Sequence, residues 1–255
     1  MASPFDSMID AIIRVGYHNH RTEEHSDIVS EQIWQDLLSR CPSLREDVEA
    51  GSVKKWLNVK APGGRHRRID LFVGQPGNGG EADLRRVRIG VENKSVITAH
   101  RNRTNRYDDI SEVMNSVLAV RPEAVLAAVI VVGFAERVLN VPDRVKALAE
   151  DFDGDVAHRL GTGDPTLWDE FPRAISQNKP DDAQKTIAKF RTLPTRTHAR
   201  THEIGLDWLL IVPVHVDNVN PPRLLDSSES GIDVEADYRR MIAHLCKAYT
   251  ARWHS

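Results

Sequence analysis

Three ionisable residues could together hydrolyse a phosphodiester bond. Asp70 lies in the apolar run RIDLFVG, and Glu92 and Lys94 lie two residues apart in the run RVRIGVENKSV. A carboxylate from each of two neighbouring strands can hold one hard divalent cation, which prefers oxygen ligands. Such a cation polarises a phosphoryl group and lowers the pKa of its bound water, while a lysine orients the nucleophile or stabilises developing negative charge. We therefore predict a phosphodiester-cleaving site at these three residues.

Strand alternation predicts how these side chains are presented, because successive side chains of a strand point to opposite faces. We expect Asp70 to face away from the apolar side chains around it, and Glu92 to share a face with Lys94. The expected apolar faces are Ile69, Leu71 and Val73 in one strand and Val87, Ile89 and Val91 in the next; the opposite faces are Arg68, Asp70 and Phe72, and Arg88, Gly90, Glu92 and Lys94.

The surrounding pattern predicts an α/β fold. Helices are expected at about 5–15 and 26–39, the second stopped by Pro42. Three strands follow: SVKKWLNVKA and RRIDLFVG form a hairpin, and RVRIGVENKSV comes after a loop at 75–83. A helix over 106–120 then leads to the apolar run AVLAAVIVVG, which is typical of a strand covered on both faces. The predicted architecture is a mixed central sheet flanked by helices, the last strand being added through a helical crossover.

The C-terminal part is expected to pack on this core and to complete its sheet. Helical stretches are predicted near 142–150, 166–176 and 181–190, followed by the strand DWLLIVPVHV and a helix over 234–249. The segment 217–231, rich in Pro, Ser and Asn, is predicted to be the most mobile loop. We expect one domain over 1–255, with its core at about 22–135.

Composition excludes several classes of protein. With 255 residues, of which 40% are hydrophobic, the chain can bury a sizeable core. Its longest apolar run is too short to span a membrane, and its first residues lack the features of a signal peptide, so we expect a cytoplasmic location without membrane association. Cys41 and Cys246 are too few and too far apart in the sequence for a disulfide framework or a zinc site, and we expect both to be buried apolar side chains.

Basic residues are concentrated around the three ionisable residues. Positions 54–106 hold thirteen Lys and Arg against four acids, a net charge of +9, whereas the rest of the chain holds 21 against 33, a net charge of −12. Such a basic block is typical of a face that binds a polyanion such as a nucleic acid. The alternative is a set of solvated strand edges and turns, since Lys and Arg also protect edge strands from aggregation.

The residues Asp70 and Glu92-Asn93-Lys94, in the order helix, three strands, helix, strand, resemble the PD-(D/E)XK nuclease superfamily, the fold of many type II restriction endonucleases. The resemblance covers roughly residues 22–135, and Ile69 stands where a proline is usual. It implies a restriction-endonuclease-like core in which Asp70, Glu92 and the carbonyl of Asn93 bind Mg²⁺, with Mn²⁺ able to substitute. It also implies that Lys94 positions the attacking water. The alternative is that the three side chains form a surface ion cluster, which would contribute little to stability.

Many members of that superfamily add an acid from the first core helix. Glu24, Asp27 and Glu31 fall at i, i+3 and i+7 and would line one flank of the predicted helix. We choose Glu31 as the catalytic acid because it lies well inside the helix. Glu24 and Asp27 are near its start, where they would favour the helix dipole, and an ordinary solvated flank is the alternative for all three.

Two basic segments are predicted to contact DNA, with arginines binding phosphates and amides reaching base edges or sugars. One follows the Glu-Asn-Lys triplet and leads into a helix at about Tyr107; the alternative for it is a charged loop capped by Asn105. The other is the tip of the first hairpin. The segment 191–202 is a further basic patch, either a DNA-facing arm or an exposed linker. The expected contact residues are His100, Arg101, Asn102, Arg103, Asn105 and Arg106 in the first segment and Arg65, Arg67 and Arg68 in the second.

Taken together, these expectations predict a Mg²⁺-dependent endodeoxyribonuclease. The chain lacks helicase and methyltransferase motifs, which favours a stand-alone enzyme of the type II restriction kind that cuts double-stranded DNA at a specific sequence in phage defence. By resemblance it would act as a homodimer, with a cognate DNA methyltransferase encoded nearby. The alternatives are a repair, recombination or modification-dependent nuclease of the same fold, and a non-catalytic DNA-binding protein. An RNA-directed nuclease is disfavoured, because the basic block has few aromatic residues for stacking.

Overall fold

The computed structural model describes residues 4–15, 24–60, 68–139, 175–197, 203–217 and 220–254. Three helices come first and are followed by three strands, a long helix and a fourth strand. The C-terminal part adds four strands and three helices within the described ranges. The elements are α1 (Pro4–Val15), α2 (Glu24–Arg40), α3 (Pro42–Glu49), β1 (Lys54–Lys60), β2 (Arg68–Pro76), β3 (Ala82–Val96), α4 (Ala99–Val120), β4 (Val125–Gly133), β5 (Arg137–Leu139), β6 (Ile175–Gln177), α5 (Asp182–Phe190), β7 (Trp208–His215), β8 (Arg223–Leu224), α6 (Ser227–Ser230) and α7 (Val234–Trp253).

Six of the strands form one mixed sheet in the order β1-β2-β3-β4-β7-β8. The first three are antiparallel neighbours, β3, β4 and β7 are parallel, and β8 returns antiparallel to β7. Strands β5 and β6 pair separately. The predicted α/β class is confirmed, and so is the helical crossover, because α4 connects two parallel neighbours.

Strand β4 separates two hydrophobic cores. All nine of its residues are buried, as the continuous apolar run predicts for a strand covered on both faces. We call the two sides the first core, which contains Ile33 of α2 and Leu245 of α7, and the second core, which contains Ile110 of α4 and Phe190 of α5. The β4 side chains alternate between them, with Val125, Ala127, Val129 and Val131 in the first core and Leu126, Ala128, Ile130 and Val132 in the second.

Several predicted boundaries are wrong. Helix α4 begins at Ala99 and not at 106, so the basic segment before Tyr107 is helical and Asn105 is not its cap. Pro42 ends α2 but also starts α3 at once, because the first helical position needs no free N–H. Of the predicted helix at 166–176, residues 166–174 lie outside the described residues and the remainder belongs to β6.

Most of the elements predicted in the C-terminal part are confirmed where the structure describes them. The helices at 181–190 and 234–249 and the strand DWLLIVPVHV are confirmed, with α7 continuing to Trp253. The described part of 217–231 contains β8 and the short helix α6, whose Asp226 and Glu229 form a reciprocal capping box. The predicted helix at 142–150 lies outside the described residues. None of the described helices combines the length and the apolar character needed to cross a membrane.

The predicted strand faces are wrong at two positions. Ile69 packs in the second core with Phe72, whereas Leu71 and Val73 pack in the first core, so the alternation changes phase at Asp70. Val87 also lies in the second core while Ile89 and Val91 lie in the first. A register shift between β2 and β3 explains Val87: Val73 pairs with Ile89 and Gly74 pairs with Val87, which leaves Arg88 as an extra residue.

The prediction of two unpaired cysteines is also wrong. Cys41, between α2 and α3, forms a disulfide with Cys246 in the middle of α7, and their Cα atoms are 5.3 Å apart. Their sequence separation of 205 residues argued against pairing, but the packing of α7 on α2 and α3 brings them together. A second link in the same interface is the hydrogen bond of 2.7 Å from the Tyr238 hydroxyl to Asp36. The C-terminal helix is therefore fixed to the N-terminal helices.

Candidate active site

The site lies where the antiparallel strands β2 and β3 separate. Strands β2 and β3 pair as far as Leu71 opposite Val91. Beyond this pair, β2 continues beside β1 and β3 continues beside β4, so the sheet opens into a fork. Asp70 is the first residue of β2 past the last pair, and Glu92 is the first residue of β3 past it. The local pairing therefore brings two carboxylates to the base of one fork.

Lys94 completes the cluster, as predicted. Its ammonium group forms an ion pair with Glu92 and lies 3.6 Å from Asp70 Oδ2. The cluster is not a surface ion cluster, because Asp70 is 8% exposed and Glu92 is 4% exposed. On the side of α4, Glu92 lines a small apolar cavity together with Ile110 and Met114. Three charges therefore share a largely water-excluded site.

Asn93 connects this cluster to helix α2. Its backbone N–H donates to Asp70 Oδ2 at 2.6 Å, and its side-chain amide donates to the Ser30 hydroxyl at 2.8 Å and to the carbonyl and hydroxyl of Ser26 at 3.2 and 3.3 Å. The Ser26 hydroxyl also donates to Asp70. The N–H and C=O of a strand residue point to the same side, so the Asn93 carbonyl faces the fork, as expected for an additional metal ligand.

The charges in the cluster strongly affect one another. Burial, and then repulsion from Asp70, raise the pKa of Glu92 to about 8. Burial likewise raises the pKa of Asp70, although Lys94 and the Asn93 N–H oppose this shift. Burial lowers the pKa of Lys94, but the attraction of Glu92 and Asp70 outweighs burial, so the net pKa of Lys94 is raised. The two carboxylates are thus held close together at a cost in free energy, and a cation reduces that cost.

Whether the residues fit a divalent cation can be judged from their unused oxygen atoms. Glu92 Oε2 is buried and accepts no hydrogen bond from any described residue. A buried carboxylate oxygen without a donor is costly in an apolar site, and coordination to a cation would satisfy it. Asp70, Glu92 and the Asn93 carbonyl are the hard oxygen ligands that Mg²⁺ prefers. Within the described ranges no third acid joins them, and no group of three or more His, Cys, Asp or Glu residues is placed there to hold a metal ion.

The predicted helix acid does not reach the fork. Glu31 forms an ion pair with Lys55 of β1 and accepts a hydrogen bond of 2.9 Å from Gln35, and the hydrogen bond from Lys55 lowers its pKa. Glu24 pairs with Arg14, and Asp27 accepts from Asn58 at 2.9 Å. The choice of Glu31 is therefore wrong, because this flank of α2 contacts the edge strand β1, whose Lys55 and Asn58 are the partners of Glu31 and Asp27.

Ser26 and Ser30 occupy the position where a third acid was expected, and the sequence analysis missed them. They fall at i and i+4 and continue the buried stripe of Ile33 and Leu37 along α2. Ser30 is polar, yet it is fully buried like the apolar residues that follow it in the stripe. A polar residue in an apolar helical stripe was the available signal, because such a side chain requires a buried partner.

The predicted DNA-contacting residues lie mainly on the first turns of α4. His100 and Arg101 are in its first turn, and their side chains lie outside the described part. Asn102 donates locally to the Thr98 hydroxyl at 2.9 Å, Asn105 is exposed, and Arg106 pairs with Asp109 at 3.1 Å. Arg103 is half-buried, and its Nη1 is buried without a partner among the residues that the structure describes.

The remaining basic positions give a mixed result. Arg65 and Arg67 lie outside the described residues, and Arg68 is exposed at the start of β2, opposite Lys60. In the patch at 191–202, Arg196 is not available for DNA: its side chain is 1% exposed and it binds Asp207 at 3.4 Å. The interpretation of this patch as an exposed arm or linker is therefore wrong at Arg196.

Comparison of the chain with protein-family models, with curated proteins and with solved structures gave no significant match.

Proposed function

We propose that the protein is a Mg²⁺-dependent nuclease that hydrolyses phosphodiester bonds of double-stranded DNA. The observation that carries the proposal is the forked sheet, which buries Asp70, Glu92 and Lys94 together and leaves Glu92 Oε2 without a donor. This arrangement supports a PD-(D/E)XK-like core, because the two carboxylates come from diverging neighbouring strands and the lysine lies two residues beyond the second. An ordinary ion cluster does not require a buried, unsatisfied carboxylate oxygen.

Each residue of the fork would have a separate role in this reaction. Asp70, Glu92 and the Asn93 carbonyl would hold the cation, and Ser26 and Asn93 would orient Asp70 through their hydrogen bonds. A bound Mg²⁺ supplies Lewis-acid polarisation of the phosphoryl group and makes water more acidic. Lys94 would orient the attacking water and stabilise the negative charge that develops on the phosphoryl oxygens.

Basic residues around the fork support a polyanionic substrate. The N-terminal turns of α4 follow β3 directly, so Arg103 and Arg106 are carried on the element that comes after Lys94. Arg68 begins β2 two residues before Asp70. We infer that these arginines contact the DNA phosphates that flank the cut.

The test is cleavage of plasmid and phage DNA, unmethylated and methylated, with Mg²⁺. Asp70→Asn and Glu92→Gln keep the shape of each side chain and remove its charge, and Lys94→Ala removes the ammonium group. Each variant should lose on the order of a hundredfold or more in cleavage rate. Lys185→Ala on α5 is the matched control, because its ion pair with Asp181, just before that helix, is exposed. Thermal melting of each variant separates loss of chemistry from loss of folding.

The products distinguish the biological roles. Discrete fragments from unmethylated DNA would support a type II restriction-like enzyme in phage defence, for which we propose a homodimer and a DNA methyltransferase encoded nearby. Cutting confined to methylated, branched or damaged DNA would instead place the chain among modification-dependent or repair nucleases. Mg²⁺-independent DNA binding without cleavage of any substrate would refute the enzyme and support the binding-protein alternative. Cleavage that survives all three substitutions would refute the site.

A further inference from the structure

Strand β1 contains an unusual backbone conformation at its centre. Asn58 has a φ of +55°, and no other non-glycine residue in the described ranges has a positive φ. This left-handed region is tolerated by Asn better than by most residues, but it does not belong in a strand, whose residues are extended. The conformation costs free energy, so something else in the structure must hold it.

Asn58 lies directly across from Asp70. On one side of it Leu57 pairs with Leu71, and on the other side Val59 pairs with Ile69, so the register is the same on both sides. Only the pair between them, Asn58 and Asp70, is missing. The hairpin is therefore interrupted at the residue that provides the first carboxylate of the fork.

The interruption changes which face of the sheet the side chains occupy. Leu57 and Leu71 pack against the first core, whereas Val59 and Ile69 pack against the second. In a regular strand, side chains two residues apart point to the same face, so Leu57 and Val59 would share a face, and so would Ile69 and Leu71. Both strands thus change phase at the same pair, and Asp70, at the point of change, is turned towards the Asn93 N–H across the fork.

The side chain of Asn58 also reaches helix α2. Its amide donates to Asp27 Oδ1 at 2.9 Å. Asp27 directly follows Ser26, whose hydroxyl donates to Asp70 and whose carbonyl and hydroxyl accept from Asn93. Asn58 therefore acts on Asp70 in two ways: the pairs on either side hold the two residues opposite each other, and Asp27 joins Asn58 to the start of α2.

We propose that Asn58 is a positioning residue, whose left-handed backbone turns Asp70 into the fork and whose amide holds the first turn of α2 against it. Its effect on metal binding and cleavage rests on the proposed nuclease function. Its effect on Asp70 does not, and can be measured without metal. The Asn93 amide provides that measurement, because its hydrogen bond to Asp70 protects it from exchange with solvent.

Two substitutions separate the backbone from the side chain. Asn58→Val disfavours the left-handed region strongly, because its side chain is β-branched, and Asn58→Gly permits that region but removes the amide. We expect Asn58→Val to speed exchange of the Asn93 amide and to weaken Mn²⁺ affinity, each by about tenfold. Asn58→Gly should change each of these two quantities by only about threefold, because it removes one hydrogen bond. Exchange is measured by NMR without metal and Mn²⁺ affinity by calorimetry.

Gly231 offers a matched control for backbone strain. Its φ is +74°, and open space surrounds the position of a Cβ atom. Gly231→Val therefore imposes the same kind of strain between α6 and α7. It should lower the melting temperature and leave Asn93 exchange and Mn²⁺ affinity as in the wild type.

The outcomes separate the two proposals. Asn93 exchange in Asn58→Val equal to that of Asn58→Gly, or to that of Gly231→Val, would overturn the positioning role. Exchange about threefold faster in the valine variant than in the glycine variant would support it, even if the wild type bound no Mn²⁺ and cut no DNA. That last result would refute the nuclease proposal alone. If Asn58→Val proves too unstable to study, Asn58→Ala provides a milder backbone penalty with the same predicted direction.

Discussion

The carboxylate of Asp47 accepts hydrogen bonds from Arg88, Tyr249 and His254 at 2.6, 2.5 and 2.7 Å. It lies at the end of α3 and joins that helix to β3 and to the end of α7. Burial raises the pKa of Asp47, but the hydrogen bonds from Tyr249 and His254 and the charge of Arg88 outweigh burial and lower it to about 2. A carboxylate whose folded pKa lies below its unfolded value stabilises the folded state while it is ionised.

We expect this residue to make stability depend on acid pH. Its contribution should be complete above pH 4, near the ordinary pKa of 3.8, and should disappear as the pH falls through about 2. The size is about 2 kcal/mol of unfolding free energy. Urea unfolding of the wild type and of Asp47→Asn at several pH values measures it. The two curves should differ most near neutral pH and converge near pH 2, and parallel curves would contradict the assignment.

The residues of the site show what side-chain type and spacing can predict. Asp70, Glu92 and Lys94 were found because charged residues in apolar strands are rare, and their proximity followed from strand order. Glu31 was wrong for a different reason: helical spacing identifies a flank but not the element beside it, and Lys55 proved to be its partner. The role of Ser30 depends on a partner 63 residues away, Asn93, which no local pattern specifies.

At the scale of elements, helix α4 places its basic residues in a regular order. Arg103 and Arg106 are three residues apart in the sequence. Because the helix starts at Ala99 and includes both, they occupy neighbouring positions on one side of it. The Nη1 of Arg103 is buried without a hydrogen-bond acceptor in the described part of the chain, and a phosphate oxygen is the acceptor that an arginine binds best. We therefore expect this side of α4 to bind the DNA backbone.

Arg103→Ala and Arg106→Ala should each weaken DNA binding for all sequences alike. Each should also reduce the slope of log affinity against log salt by about one, because one phosphate contact is lost. Fluorescence anisotropy of labelled duplex in EDTA, between about 50 and 200 mM salt, gives both quantities. The control is Arg239→Ala on α7, whose ion pair with Glu235 is exposed. Unchanged slopes in both α4 variants would exclude α4 from the DNA interface.

Elements with a strong pattern were the ones that the sequence could predict. Strand β4 was correct because nine consecutive apolar residues are difficult to place other than in a covered strand. The start of α4 was missed because its first two turns carry few apolar residues and Thr98 makes no side-chain cap. The change of phase at Asp70 was missed because strict alternation was assumed, and the core positions of Ile69 and Leu71, together with the backbone of Asn58, show that it fails.

At the scale of the whole molecule, one buried ion group joins distant parts of the chain. Asp207, just before β7, binds Arg252 near the end of α7 at 2.5 Å and Arg196 at 3.4 Å, and it accepts the N–H of Leu126 in β4 at 2.9 Å. The Asp207 side chain is fully buried. The arginines also donate to the carbonyls of Pro122 and Ala124 in the turn before β4. The group thus connects the centre of the sheet to the C-terminal helix.

Asp207→Asn should destabilise the whole protein. The substitution keeps the size of the side chain but leaves two buried arginines without their counter-charge, which costs about 3–5 kcal/mol of unfolding free energy. Urea unfolding followed by circular dichroism measures the loss. Asp237→Asn is the control, because its partner Arg240 is exposed, and it should cost less than about 1 kcal/mol. A loss of that small size for Asp207→Asn would mean that the backbone carbonyls alone satisfy the arginines.

The bond between Cys41 and Cys246 has a consequence for the chain as a covalent object. These residues are 205 positions apart, so the six-stranded sheet, with the second core and the strands of the fork, lies inside one closed ring. The described residues before Cys41 and after Cys246 lie outside this ring, and both groups contribute helical residues to the first core. A single break in the backbone anywhere within that ring would open it without producing two molecules. While the disulfide persists, the pieces on either side of such a break stay covalently joined.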